Sequence, residues 1–312
     1  MTAETHLRIT LVDAAANPAL AQAALELVTQ GIPSEQRAAQ RELLQAALKA
    51  PAAALLLSAQ REEHLVGAVF AQLMPGRAAG VWPPELAEGA NEAVAVDLLA
   101  ALEEELATRE IDLAQSLLAA DASRAAERLM AAGYRHAAEL LYLVSEAEQF
   151  PHDPPRLPFK LQAFDPARLE PFAQLLEATY VGTLDCPSLD NMRDAADVLT
   201  GYRAIGEFRA ELWLIASHQG EDVGCLLLAD HPQLGHWELV YMGLVPAVRG
   251  RGWGLELARH AQWLAREAGQ ERILLGVDAN NHPALRMYAT CGFEACDQRR
   301  VLVRSMRSRG KS

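Results

Sequence analysis

The sequence predicts an α+β protein built as two tandem units of similar layout. The same order of elements runs twice along the chain: strand, two helices, three strands, helix, strand, helix, strand. A proline-rich stretch over 149–158 separates the two runs. At 312 residues the chain is also long for a single hydrophobic core. We therefore expect a first domain over 1–148, a linker over 149–158 and a second domain over 159–312.

In the first run an apolar segment over 7–12 reads as a strand. Helices follow over 18–30 and 34–49, the second opening on the cap residue Ser34. Strands over 53–59, 64–74 and 78–82 are separated by turn signals at Arg61-Glu62-Glu63 and Pro75-Gly76-Arg77. A long helix covers 91–109, a strand 112–119, a helix 123–132 that stops at Gly133, and a strand 138–145. The second run has a strand over 159–164, helices over 166–180 and 191–203, and strands over 212–217, 223–229 and 237–244. A helix over 255–269, a strand 273–277, a helix 283–291 and a strand 298–303 complete it. Asp190-Asn191 reads as a helix cap.

Composition describes a soluble globular chain, with 51% apolar and 22% charged residues. No apolar run reaches the length of a membrane span, and the N-terminus lacks a signal-peptide pattern. The four cysteines, Cys186, Cys225, Cys291 and Cys296, show no metal-ligand spacing, so we expect reduced thiols, no metal and a cytoplasmic protein. Net charge is −13, of which −11 falls in residues 1–150 and −2 in 151–312. Such an acidic chain makes a poor nucleic-acid partner, and a polyanionic ligand belongs with the near-neutral second half. The basic tail, from Arg300 to Lys311, reads as a solvated terminus.

The most informative stretch runs from Leu244 through Val245, Arg249, Gly250, Arg251, Gly252 and Trp253 to Gly254. An apolar strand ends there, a basic glycine-rich turn follows, and a helix begins. Helix-initial N–H groups lack internal partners and carry partial positive charge, and glycines let the backbone approach a phosphate. The turn has neither the Gly-Lys-Ser/Thr of a Walker A loop nor the spacing of a dinucleotide fingerprint. It reads instead as Arg249-x-x-Gly252-x-Gly254. Downstream, after an apolar strand, stands a second pattern, Asn281-x-x-Ala284-x-x-x-Tyr288-x-x-x-Gly292-Phe293. Together these two blocks resemble the signatures of the GNAT family, the acyl-coenzyme A-dependent N-acyltransferases.

The resemblance implies that each unit is a mixed, mostly antiparallel central sheet flanked by helices. It implies acetyl-CoA as co-substrate, with the pyrophosphate on 249–254 and the thioester arm against Leu244 and Val245. By the same likeness Asn281 binds the cofactor or orients the turn, and Tyr288 is the acid for the leaving thiolate. Glu238, on the strand leading to Leu244, is the candidate base, with Asp278 as the runner-up. The loop between the first two helices of the second unit frames the acceptor, with Asp185 as the substrate contact. Cys186 beside it has no adjacent histidine to support a covalent route. Acceptors implied are small-molecule amines or peptide N-termini, on a monomer or homodimer. A non-catalytic acyl-CoA-binding or scaffold protein is the alternative.

Matching Gly133-Tyr134 to Gly292-Phe293 and Pro83 to Pro246 sets the two halves side by side. Leu129 then stands for Tyr288, Ala122 for Asn281, Gly89 for Gly252, Leu86 for Arg249 and Asn91 for Gly254. Glu85 and Glu88 add negative charge beside the phosphate position. The first half reads as a degenerate copy, a layout similar to tandem GNAT proteins such as the mycothiol-forming acetyltransferases.

Overall fold

A computed structural model describes residues 6–50, 52–189 and 192–307. The expected cap at Asp190-Asn191, and Arg309 and Lys311 of the basic tail, lie outside the described residues. The chain divides into two compact units, one of residues 1–137 with 300–312, the other of residues 138–299. Packing assigns the closing strand of each sequence half to the unit formed mainly by the other half. A period-two pattern marks a strand but not the sheet edge it joins.

Unit 1 contains β1 (Leu7–Leu11), α1 (Pro18–Val28), α2 (Ser34–Leu48), β2 (Ala54–Arg61), β3 (His64–Met74) and β4 (Ala78–Leu86). Next come α3 (Ala93–Ala107), β5 (Leu113–Ala119) and α4 (Ser123–Ala131). Strands β1 to β5 lie in sequence order, antiparallel except for the parallel pair β4–β5. Strand β6 (Arg135–Glu146) crosses into unit 2. There follow β7 (Lys160–Ala163), α5 (Leu169–Tyr180), α6 (Ala195–Arg203), β8 (Trp213–His218), β9 (Glu221–His231) and β10 (His236–Leu244). Helix α7 (Trp253–Glu267), β11 (Arg272–Asp278) and α8 (His282–Thr290) complete unit 2, and β12 (Glu294–Ser305) runs back into unit 1. The sheet of unit 2 has the order β6-β11-β10-β9-β8-β7, antiparallel except for β10–β11.

The sheet of each unit is buried on both faces, as its apolar strands require. In unit 2, Trp237, Leu239, Ile273 and Leu275 face α7, while Trp213, Ile215, Cys225 and Leu227 face α5 and α6. Helix α7 presents Leu257, Ala258, Ala261 and Ala265 to the sheet, all fully buried. Three alanines in that stripe let the helix approach closely. Burying Leu257 contributes about 2 kcal/mol on area grounds. The helix starts at Trp253, earlier than the apolar pattern suggested, because Gly252 at φ 79° serves as its N-cap. The stretch expected as a linker has no regular structure beyond a 3-10 turn over Ala147–Gln149, and Phe150 and Phe159 bury into the α7 side of unit 2. Among the described residues no helix is long and apolar enough to cross a membrane.

The two units share a register that corrects part of the sequence comparison. Ala122 and Asn281 are the N-caps of α4 and α8, as matched. The parallel pairs, however, begin at Ala78↔Leu113 and Trp237↔Ile273, which sets Gly80 against Leu239. Helix α3 begins behind Glu92, whose backbone is already helical at φ −57°, and the left-handed glycine ahead of it is Gly89 at φ 78°, against 79° at Gly252. The connection from Leu86 to Ala93 is shorter than that from Leu244 to Trp253, and a match of prolines cannot see that difference.

Candidate functional site

Strands β10 and β11 pair in parallel at Trp237↔Ile273, Glu238↔Leu274 and Leu239↔Leu275, and no further pair follows. A bulge between Leu239 and Tyr241 bends β10 at that point. The two strands splay into a wedge that holds a cavity of about 630 Å³. One arm is Leu239 to Leu244, the other Gly276 and Val277, and α8 closes the base with Met287 and Tyr288. Past the bulge, β10 has no strand on its β11 side. Its backbone groups there face the cavity and suit an extended ligand with amide groups.

The glycine turn closes the wedge at its outer end. Gly250 and Gly252 adopt φ 74° and 79°, and a Cβ on either would meet no atom within 4 Å. Their glycines are required by backbone conformation, while the space beside them stays open to an anion. At Gly254 the reason differs, since a Cβ would stand 2.9 Å from the Met287 sulfur and force that side chain to shift in the cavity wall.

Arg249 does not aim its charge at the cradle. Its Nε donates to Leu244 O (2.9 Å), Nη1 to Val181 O and Gly182 O (2.8 and 3.1 Å), and Nη2 to Thr179 O (2.8 Å). The guanidinium ties the C-terminal end of α5 to the end of β10, leaving backbone N–H groups of the turn and α7 for an anion. Arg251 donates to Ala247 O at 3.1 Å and lies over the Trp253 ring. Trp253 itself is buried against Phe159 and His218.

Of the residues singled out from sequence, Leu244, Arg249, Gly250, Gly252, Gly254, Asn281, Tyr288 and Asp185 line this cavity, while Val245, Arg251, Trp253 and Glu238 do not. Val245 is turned away by strand alternation, and its N–H donates to Val223 O at 2.9 Å.

Tyr288 is buried, edge-on to Phe293, and burial pushes its phenol above the ordinary tyrosine range. It therefore holds its proton at neutral pH. Asn281 caps α8, its Oδ1 accepting the Ala284 N–H at 3.3 Å. Asp185 and Asp278 lock together: Asp185 Oδ1 accepts the Asp278 N–H (2.8 Å), and Asp278 Oδ2 accepts the Cys186 N–H (3.2 Å). Burial raises the Asp185 pKa, and the Asp278 N–H bond opposes that rise. Both oxygens of buried Asp278 are committed, one also to Asn280, which disfavours it as a base. Glu238 is half-buried and bonded through Oε2 to His231 Nε2 at 3.0 Å. The thiol of Cys186 is pushed up by burial and the neighbouring carboxylates, which argues against a thiolate nucleophile.

A second cavity of about 590 Å³ shares a wall with the first, formed by Gly182, Thr183, Asp185, Val240 and Tyr241. Three tyrosines that sequence reading missed define it. The hydroxyls of Tyr180 and Tyr202 bond at 3.1 Å, and Tyr241 bonds Thr179 at 2.8 Å. The Tyr241 hydroxyl overlies Gly243, where a Cβ would come within 2.5 Å of it. Widely separated positions, each on a different element, gave no local pattern to find.

Unit 1 has a wedge of the same design, with β4 and β5 pairing only from Ala78↔Leu113 to Gly80↔Gln115. Arg128 of α4, 7% exposed, fills it. Its Nη1 donates to Pro84 O (2.8 Å) and Glu85 (3.2 Å), and its Nε donates to Glu92 (2.8 Å). Glu92 also pairs with Arg124, and the two arginines hold its carboxyl down at about 2. The Glu92 carboxylate at the start of α3 is thus held by two arginines of its own unit and does not cap the helix.

Residues 169–293 match the model of the Acetyltransferase (GNAT) family. An uncharacterized N-acetyltransferase, YdgE of Bacillus subtilis, is 38% identical over 84 residues, which is 26% of this chain and 53% of that protein. The chain thus spans about half the length of this curated relative. A GCN5-related N-acetyltransferase from Sphaerobacter thermophilus shares the fold at TM-score 0.59 and 17% identity, over 96% of each chain. A tandem GNAT protein from the clavulanic acid biosynthesis pathway matches at TM-score 0.51 and 15% identity, over 98% of this chain and all of that one.

Proposed function

We propose that this chain belongs to the GNAT superfamily, with a tandem layout, and that unit 2 transfers an acetyl group directly from acetyl-CoA to a primary amine. The observation that carries the reading is the open wedge beside β10, ending at Gly250 and Gly252 and sharing a wall with a second cavity. A phosphate-bearing, amide-containing arm fits the first cavity, and an amine approaching through the second reaches the wall they share.

In this reading the turn N–H groups from Gly250 to Gly254 hold the pyrophosphate. Arg249 keeps the turn and α5 in place, and β10 beyond the bulge hydrogen-bonds the arm and polarises the thioester carbonyl. Glu238 takes the proton of the ammonium through water, since it does not line either cavity. Its bond to His231 holds the carboxylate in one orientation. The amine nitrogen bonds to the carbonyl carbon and gives its second proton to water, the carbon–sulfur bond breaks, and Tyr288 passes a proton to the sulfur and recovers one from solvent. Its raised pKa keeps that proton available until a thiolate forms nearby. Unit 1 serves a structural or substrate-shaping role without binding cofactor.

Calorimetric titration with acetyl-CoA tests the assignment. One site per chain, followed by acetylation in an amine panel, supports it. Two sites would mean that the filled wedge of unit 1 opens. Binding without turnover on any amine would reduce the protein to an acyl-CoA binder.

A further inference from the structure

The second cavity carries a charge pattern that acetyl transfer alone does not need. Glu177 and Asp185 supply carboxylates, and Arg193 supplies a guanidinium. Asp185 is tied to the Asp278 N–H. Neither Glu177 nor Arg193 has a hydrogen bond or ion pair among the described residues. Arg193 is half-buried in the cavity wall. A guanidinium there with no carboxylate partner among the described residues matches an oxyanion from outside.

Its place relative to the wedge fixes the geometry of such a ligand. Tyr202 stacks on Tyr241 with ring centroids 5.7 Å apart, and Tyr241 lines both cavities. Arg193 lines the second cavity and not the first, so its guanidinium stands away from the shared wall. The tyrosine hydroxyls bond to one another and to Thr179, and the rings offer flat faces to a carbon chain.

Resting on the acetyl-transfer reading, we propose that the acceptor is an amine that also carries a carboxylate or phosphate, several bonds from the nitrogen, and that Arg193 binds this oxyanion. Glu177 and Asp185 attract the cationic end, and Arg193 selects the anionic end. An α-amino acid is too short for both, because its two charges sit on one carbon.

The test is steady-state acetylation with acetyl-CoA over matched pairs of amines. Glycine, γ-aminobutyrate and ε-aminocaproate are each compared with the alkylamine that lacks the carboxylate, and O-phosphoethanolamine with ethanolamine. The longer ω-amino acids should exceed their alkylamines in kcat/KM by about ten- to hundredfold, the worth of a charge-assisted contact, whereas glycine should show no advantage. The phosphate pair tells which oxyanion is preferred. Arg193→Gln should remove the advantage and leave alkylamine rates unchanged. Arg203→Gln, whose guanidinium lies over Phe208, should alter neither. Equal rates within every pair, or an Arg193→Gln loss that falls on both members alike, would overturn the assignment while leaving acetyl transfer standing. Failure of every amine, with acetyl-CoA still bound, would instead remove the transfer reading and this inference together.

Discussion

Two wedges of one design meet opposite fates in this molecule. In unit 2, β10 and β11 part after Leu239↔Leu275 and the gap stays open; in unit 1, β4 and β5 part after Gly80↔Gln115 and Arg128 fills the gap. The splay comes from the backbone, from three parallel pairs and a bulge in the neighbouring ladder, and both units retain it. What differs is the side chain at the base. Met287 and the glycine turn leave room for an anionic ligand, whereas Arg128, at the position of Met287, pairs with Glu85 and Glu92 of its own unit. Fold and site are thus separable, since an ion pair can stabilise a scaffold whose ligand position it occupies.

The comparison breaks most directly at the N-cap. Gly252→Glu puts a carboxylate at the N-cap of α7 on a backbone whose positive φ a side chain strains. Acetyl-CoA affinity should fall about 1000-fold by calorimetry, the loss of more than one charge-assisted contact. Retained affinity would show that the anion binds elsewhere.

On the other side, Arg128→Met leaves Glu85 without its cation in the filled wedge. Burial already pushes the Glu85 carboxyl upward, and Arg128 is the main group opposing that. Unfolding free energy in urea should drop by about 3 kcal/mol, with acetyl-CoA stoichiometry unchanged at one per chain. A gain of a second site would mean that the arginine alone had blocked it.

Tyr288→Phe sharpens the chemical half of the contrast. Turnover should fall about 100-fold while the Kd for acetyl-CoA stays within about twofold, the pattern of a lost proton donor. An unaltered kcat would remove Tyr288 from the reaction.

The smallest effect is a pH dependence confined to unit 1. Glu92 titrates at about 2 in the fold against its usual 4.5. Its pairs with Arg128 and Arg124 therefore stabilise the protein above pH 4.5, and that contribution is lost as the pH falls from 4.5 towards 2. The side chain is 51% exposed, so the amplitude after screening is about 1 kcal/mol. Glu92→Gln should flatten that part of the stability profile relative to the parent protein, and an unchanged slope would mean the pairs are solvated.

By itself the sequence determined the local parts. Apolar periods fixed the strands and helices, and the glycines at 250 and 252 marked a turn whose backbone can approach an anion closely. The two spaced patterns identified Tyr288 and Asn281, since residues of one helix and its cap are neighbours by chain connectivity. Only the tertiary structure decided what depends on partners distant in the chain. Arg249 looked like a phosphate ligand until the carbonyls of Thr179, Val181 and Gly182 were seen around its guanidinium. Asp185 looked free until the Asp278 N–H met it. Arg128 was not recognised as filling the first wedge because its partners, Pro84, Glu85 and Glu92, lie more than thirty residues away in the chain. Side-chain hydrogen bonds and ion pairs are short-range, so their partners are set by packing between elements that the linear pattern does not order.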